Sequence, residues 1–228
     1  MSIAEKLTTI AENEQKVYDK GFADGQSQGG GDVTKNPMYY MSVKGFQWQG
    51  KVFPEGFEFV LNVLNKPDDM NAMLMRTTGI KNVTLVCEEE GTVSYAQTLR
   101  ECPVETLDIT NFKPKPTSIS YFAYIARKLI SIYGAFDLSQ CTTAVSSFAA
   151  ANALEDVEFV PNTIKLSMGF TDCEHLTKAS LTSIINGLNT DVTEQTLTLS
   201  STAKTNAFTD EEWATLIEAK PNWTISLM

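Results

Sequence analysis

From Leu74 to Leu176 the apolar positions of the chain recur at a fixed interval. Ile80, Val83 and Leu85 set an apolar-x-x-apolar-x-apolar template. It returns as Val104/Leu107/Ile109, as Leu129/Ile132/Gly134 and as Leu154/Val157/Phe159, with first members 24, 25 and 25 residues apart. A second motif ends on the template's first member, its positions three residues apart: Leu74/Thr77/Ile80, Ala123/Ala126/Leu129, Phe148/Ala151/Leu154 and Phe170/Cys173/Leu176. A period in the twenties with one strand-like segment per period predicts a solenoid, in which stacking supplies the core that no single unit can bury. Alternation within a unit points Leu107 and Ile109 inward and Asp108 outward. The stretch 117–129 then returns along the opposite side as a helix or turn. The copy at 98–104 is irregular, with Cys102 one residue out of step, and the copy at Ala123 lacks the aromatic. The pattern alone therefore does not set the register over residues 98–129.

The flanks read differently. Over residues 1–24, Ile3, Leu7, Ile10, Glu14, Val17 and Gly21 follow the 4-3 spacing of a short heptad seam. Ser2 and Glu5 form a capping pair at its start. A helix this short is marginal alone, so Ile3, Leu7, Ile10 and Val17 are expected to assemble with a partner or with further copies, a homotrimer included, with packing against their own domain as the alternative. Residues 25–37 are a glycine-rich linker. Residues 38–73 are aromatic and broken by Gly50, Pro54 and Gly56, which predicts short strands capping the array, with an exposed aromatic patch as the alternative. The array itself spans 74–176, and 177–228 is its C-terminal capping module. There Thr177 caps a helix carrying Leu181, Ile184, Ile185 and Leu188, and QTLTLS (195–200) is a strand. Thr209 and Glu212 form a capping box with Phe208 and Trp213 as its staple, and WTISL (223–227) is a closing strand. The fold class expected is α/β: a parallel-sheet solenoid preceded by an amphipathic helix.

Charge narrows the partners. The chain is formally −10 and has no basic cluster, which argues against nucleic acid and anionic membranes. Its apolar runs fall short of the roughly 18 residues of a membrane span, and MSIAEKLTTIAENEQ has no signal-peptide pattern. Cys87, Cys102, Cys141 and Cys173 show no C-x-x-C spacing, and His175 is the only histidine. Four reduced, packed thiols and no metal or other cofactor are expected.

FTDCEHL (170–176) and the segment 129–164 resemble the divergent leucine-rich repeats of the BspA type, with their F-x-x-C-x-x-L recurrence. The tail 176–227 and the opening 3–25 are similar to the ends of leucine-rich-repeat proteins encoded by phages and prophages of Gram-positive gut bacteria. The resemblance implies a leucine-rich-repeat-like fold and a virion structural protein of the tail or another appendage. It implies docking to virion proteins and binding of a host-surface glycan or protein. A cytoplasmic protein-binding scaffold is the alternative.

No P-loop, G-x-G-x-x-G or H-E-x-x-H is present, so an enzyme is not expected. His175 and Cys173 lie too close in sequence to converge as a catalytic pair. Asp108, Asp137, Asp156 and Glu158 would need glycosidase spacing and read more simply as solvated acids. Glu88, Glu89 and Glu90 lack the alternation of a calcium loop. The sharper expectation is two outward rows on the stacked strands, Asn82/Thr106/Ser131/Asp156 and Thr84/Asp108/Tyr133/Glu158. Their hydroxyls, carboxylates and single tyrosine suit a sugar or a basic protein segment; the alternative is that they serve only to keep the sheet soluble.

Overall fold

Alternation of inward Val83, Leu85 and Cys87 with outward Asn82, Thr84 and Val86 demands a strand with one buried face, and the same demand returns in each copy of the template. In the computed structural model, which describes residues 38–40, 48–63 and 65–228 within the unit Pro37–Met228, those segments are strands. The elements are β1 (Met38–Tyr40), β2 (Val52–Val63), β3 (Thr78–Cys87), β4 (Thr92–Ser94), β5 (Thr106–Phe112), β6 (Lys115–Ser118), β7 (Ser131–Phe136) and β8 (Asp156–Phe159). A parallel sheet runs β1-β2-β3-β5-β7-β8, in sequence order. Its pairings join equivalent positions, with Val83 opposite Leu107 and Leu107 opposite Ile132. The fold is mixed α/β with a parallel sheet. The expected helix at 1–24 with Ile3, Leu7, Ile10 and Val17, and the linker 25–37, lie outside the described residues.

The return side of each layer is a turn and not a helix. Thr77, Cys102, Ala126, Ala151 and Cys173 each donate a backbone N–H to the carbonyl three residues back, at 3.0–3.2 Å. Successive turns also bond to one another: Leu74 N to Thr98 O at 2.9 Å, Leu99 N to Phe122 O at 2.8 Å and Ala123 N to Ser147 O at 2.8 Å. Two residues per turn have positive φ, at 50–59°: Ala72, Gln97, Tyr121 and Ser146 in one row, and Arg76, Glu101, Ile125 and Ala150 in the other. This row structure settles the register over 98–129. Leu99 and Cys102 are the turn copy, since the Cys102 thiol lies 3.0 Å from the hydroxyl of its counterpart Thr77. The irregularity is a connection from Cys102 to Val104 that is one residue shorter than in the other layers. Where Ala123 lacks the aromatic, neighbouring Phe122 supplies it, buried with its ring 5.4 Å from Phe136 and 6.1 Å from Phe148.

The aromatic region stacks as strand on the first strand of the array. Trp48, Phe53 and Phe59 are buried, with Trp48 edge-on to Phe59 at 5.0 Å. Trp48 N donates to Met73 O and Gly50 N to Met75 O, both at 2.8 Å. Residues 48–63 are thus a further layer of the stack, and an exposed patch of these rings is ruled out because they fill its core.

At the other end the last strand would expose unpaired backbone. Helix α1 (Lys178–Gly187) covers it, N-capped by Thr177 and burying Leu181, Ile184 and Ile185. Val157 N donates to Ser180 Oγ at 3.0 Å and Phe159 N to Ser183 Oγ at 2.9 Å. Serine hydroxyls stand where another strand would offer carbonyls, which is one way to close a sheet edge. Beyond it β9 (Met168–Phe170), β10 (Gln195–Leu199) and β11 (Trp223–Leu227) form a parallel sheet in the order β11-β10-β9, with α2 (Ser201–Ala207) and α3 (Asp210–Glu218) in the crossover. The Thr209–Glu212 capping box is complete, and Phe208 lies 5.6 Å from Trp213. Buried Lys220 donates to the carbonyls of Asn186 and Leu188 at the end of α1. No helix among the described residues is long and apolar enough to cross a membrane.

Leu107→Ala should cost about 2–5 kcal/mol of stability, as for other emptied core sites. Asp108→Ala should cost about 1 kcal/mol or less, since only one local hydrogen bond is lost. Urea midpoints that move equally for the two would contradict the inward–outward assignment. Ser180→Ala should cost about 1–3 kcal/mol, because it strands the buried N–H of Val157. Hydrogen exchange at Val157 should then rise ahead of exchange in β5.

Candidate functional site

The outward strand positions are the candidate site, and the ladder sets them side by side. Asn82 faces Thr106, Thr106 faces Ser131, and Ser131 faces Asp156. Much of this row is spent on itself. Thr106 donates to Asn82 Oδ1 at 2.8 Å, Ser131 to Asp156 Oδ2 at 3.1 Å, and Thr177 to Asp156 Oδ1 at 3.2 Å. Ser131 is buried, whereas Asp156 is exposed. The row extends the hydrogen bonding of the sheet, and both carboxylate oxygens of its exposed end member Asp156 already accept a bond.

The second row holds in part. Thr84 faces Asp108 and Asp108 faces Tyr133, but Glu158 faces Ala135 and not Tyr133. The cause is a pair of bulges. The strand β5 takes an extra residue after Asp108, and the stretch Ser131–Ala135 of β7 matches only Asp156–Glu158 of β8. Gly134 makes this fit with φ +89°, where an added Cβ would sit 2.8 Å from Thr110 N. Only glycine tolerates both the dihedral and the approach. Bulges bend strands and re-aim side chains, and Tyr133, just before the glycine, is 52% exposed. The bulge had a sequence signal: the repeat carrying Gly134 where its counterparts have apolar residues.

Electrostatically this face is one-sided. Glu58, Asp108, Asp156 and Glu158 have no lysine or arginine partner among the described residues, and the ion pair beside Asn82 and Thr106 joins Lys81 to Glu105 at 3.5 Å. Asp108 accepts only the N–H of Thr110, at 2.8 Å. Tyr133 therefore stands in a field of uncompensated carboxylates, suited to a cationic or hydroxyl-rich ligand.

Past the bulges, a cleft of about 470 Å³ opens between the ends of β5 and β7 and the small parallel sheet of β4 and β6. Lys113 and Lys115 rim it, paired with Glu88 at 2.6 Å and Asp137 at 2.8 Å. Burial pushes the Asp137 carboxyl up, but Lys115 and Ser139 outweigh it and hold the group below the usual carboxylate range. Tyr95 lies in the floor and donates to Pro114 O at 2.5 Å. With both lysines paired, Glu90 is the one lining charge that no ion pair engages among the described residues.

The residues weighed for catalysis sit in different surroundings. His175 is exposed while the Cys173 thiol is buried, donating to Phe148 O at 3.6 Å. Burial, with Asp172 adding to it, pushes that thiol up to about 12. Asp137 is tied to Lys115, Glu88 to Lys113, and Glu89 accepts the backbone N–H of Lys66. All four cysteines are free and buried. Among the described residues no group of His, Cys, Asp or Glu is placed to hold a metal.

Burial holds the Tyr95 phenol protonated far above its ordinary value. An unfolded tyrosine ionises near about pH 10. The contribution of this group is therefore complete below that pH and is lost as the pH rises through and beyond it. Tyr95→Phe should flatten the alkaline fall in stability and cost about 1 kcal/mol at neutral pH for the lost hydrogen bond. Urea midpoints compared between neutral and alkaline pH check both parts.

No protein-family model, curated protein or solved structure matches the chain.

Proposed function

We propose that the chain is a leucine-rich-repeat-like solenoid of a phage tail or appendage, which binds a host-surface glycan or protein through the outward face of its sheet. The observation that carries the binding reading is Tyr133, raised out of a parallel sheet by the Gly134 bulge and bordered by carboxylates without cations. Sequential parallel strands joined by one turn per layer support the solenoid. The virion role rests on the resemblance of residues 3–25, 129–164 and 176–227 to phage-encoded repeat proteins. Asp108, Asp156 and Glu158 would meet amines or hydroxyls, with Tyr133 stacking against the ligand's apolar side. Thr84, Asn82, Thr106 and Ser131 would position them.

The test pairs particle composition with adsorption. Purified virions should contain the protein, as judged by mass spectrometry. Particles carrying Tyr133→Ala should adsorb to host cells about tenfold less well, a loss typical of an aromatic anchor, while the thermal midpoint of the protein stays unchanged. Absence from particles would refute the virion role, and unchanged adsorption would refute the use of this face.

A further inference from the structure

The turn side of the stack carries a cluster of opposite character to the sheet face. Arg100 lies over the rings of both Tyr121 and Tyr124, at 5.7 and 5.4 Å from their centroids, and the rings meet edge-on at 5.6 Å. Its Nε donates to Glu101 at 3.2 Å and one terminal nitrogen to Gln97 at 2.8 Å. The other terminal nitrogen has no partner among the described residues, and neither has either phenol hydroxyl. Val145, whose carbonyl accepts the Tyr121 N–H at 2.8 Å, is 57% exposed. Arginine and tyrosine beside exposed aliphatic surface is the composition of a protein-binding hot spot.

Charge and backbone add two separate arguments. The turns at 71–76, 96–101, 120–126 and 145–150 contain Arg76, Arg100 and Glu101 as their only charged residues, with exposed Arg127 and Lys128 just beyond. Negative charge enters at both ends: Asp68 and Asp69 precede the first turn, Asp69 accepting the N–H of Asn71 at 2.8 Å, and the far end has Asp172, spent on Ala150 N at 2.8 Å, and exposed Glu174. Glu101 is shared by Arg76 at 2.8 Å and Arg100 at 3.2 Å, so the middle of this side keeps an excess of positive charge on a chain of −10. Tyr121 also sits at φ +56°, a conformation that glycine adopts without penalty and that a bulky side chain rarely takes. Its ring is partly exposed at 36% and packs no core.

We infer that Arg100, Tyr121, Tyr124 and Val145 form a docking surface for an acidic protein segment, a carboxylate meeting the free edge of the Arg100 guanidinium and an apolar side chain lying on Tyr121 and Val145. This interface is separate from the face around Tyr133 and takes a partner of opposite charge.

The probe is a fluorescent peptide of alternating glutamate and leucine, titrated with the full chain, against a lysine–leucine counterpart. Saturable binding of the acidic peptide, about tenfold or more tighter than the basic one, is expected. Arg100→Gln and Tyr121→Gly should each weaken it about tenfold or more, and Tyr133→Ala should leave it unchanged. Tyr121→Gly should keep or raise the thermal midpoint, because it relieves the backbone, and a fall would mean that the ring serves the fold. No saturable binding, equal binding of the basic peptide, or indifference to both variants would overturn the inference. Self-association of the chain abolished by Tyr121→Gly would also overturn it, making a second copy the occupant.

Discussion

A single layer of this chain, such as the one carrying Leu99 on its turn and Leu107 and Ile109 on its strand, has no partner surface within itself. Everything else in the structure follows from the backbone ladders that bind one layer to the next on both sides, strand to strand and turn to turn. The ladders force equivalent positions into contact. Leu107 meets Val83 and Ile132, and the hydroxyl of Thr77 meets the thiol of Cys102. A parallel pairing needs a long crossover, and here the crossover is the turn side itself.

The same constraint explains how the chain tolerates irregularity. The shortened connection between Cys102 and Val104 lies between the two ladders, so each keeps its bonding. The extra residues in β5 and β7 cannot be hidden that way and emerge as bulges. The two bulges abut, since Gly134 lies against the backbone of Thr110, and their outcome is an exposed Tyr133 among acids. Accommodating the bulge and exposing the aromatic are one structural event.

The stack also has to end. Ser180 and Ser183 of α1 satisfy the N–H groups of Val157 and Phe159, so the sheet stops at a helix and not at an open edge. Lys220 then holds the carbonyls at the end of that helix, tying the closing segment to the stack. The two charged faces that result differ in sign: carboxylates without cations on the sheet, and arginine with tyrosine on the turns.

What the sequence by itself determined is what repeats. The spacing of Ile80, Val104, Leu129 and Leu154 specified parallel strands and their inward residues, because a stacked layer must present the same apolar positions at the same interval. Local signals of capping, Thr177 and the Thr209–Glu212 box, were equally legible, since a cap depends only on its own first turn. The tertiary structure alone decided what depends on neighbours. Trp48 and Phe59 joined the core because another layer lay beneath them. Glu158 left the row of Tyr133 because a bulge in the adjacent strand shifted the pairing. Arg100, Tyr121 and Tyr124 came together only when turns distant in sequence were stacked, and the hydrophobic pattern gave them no weight because they point away from everything it describes.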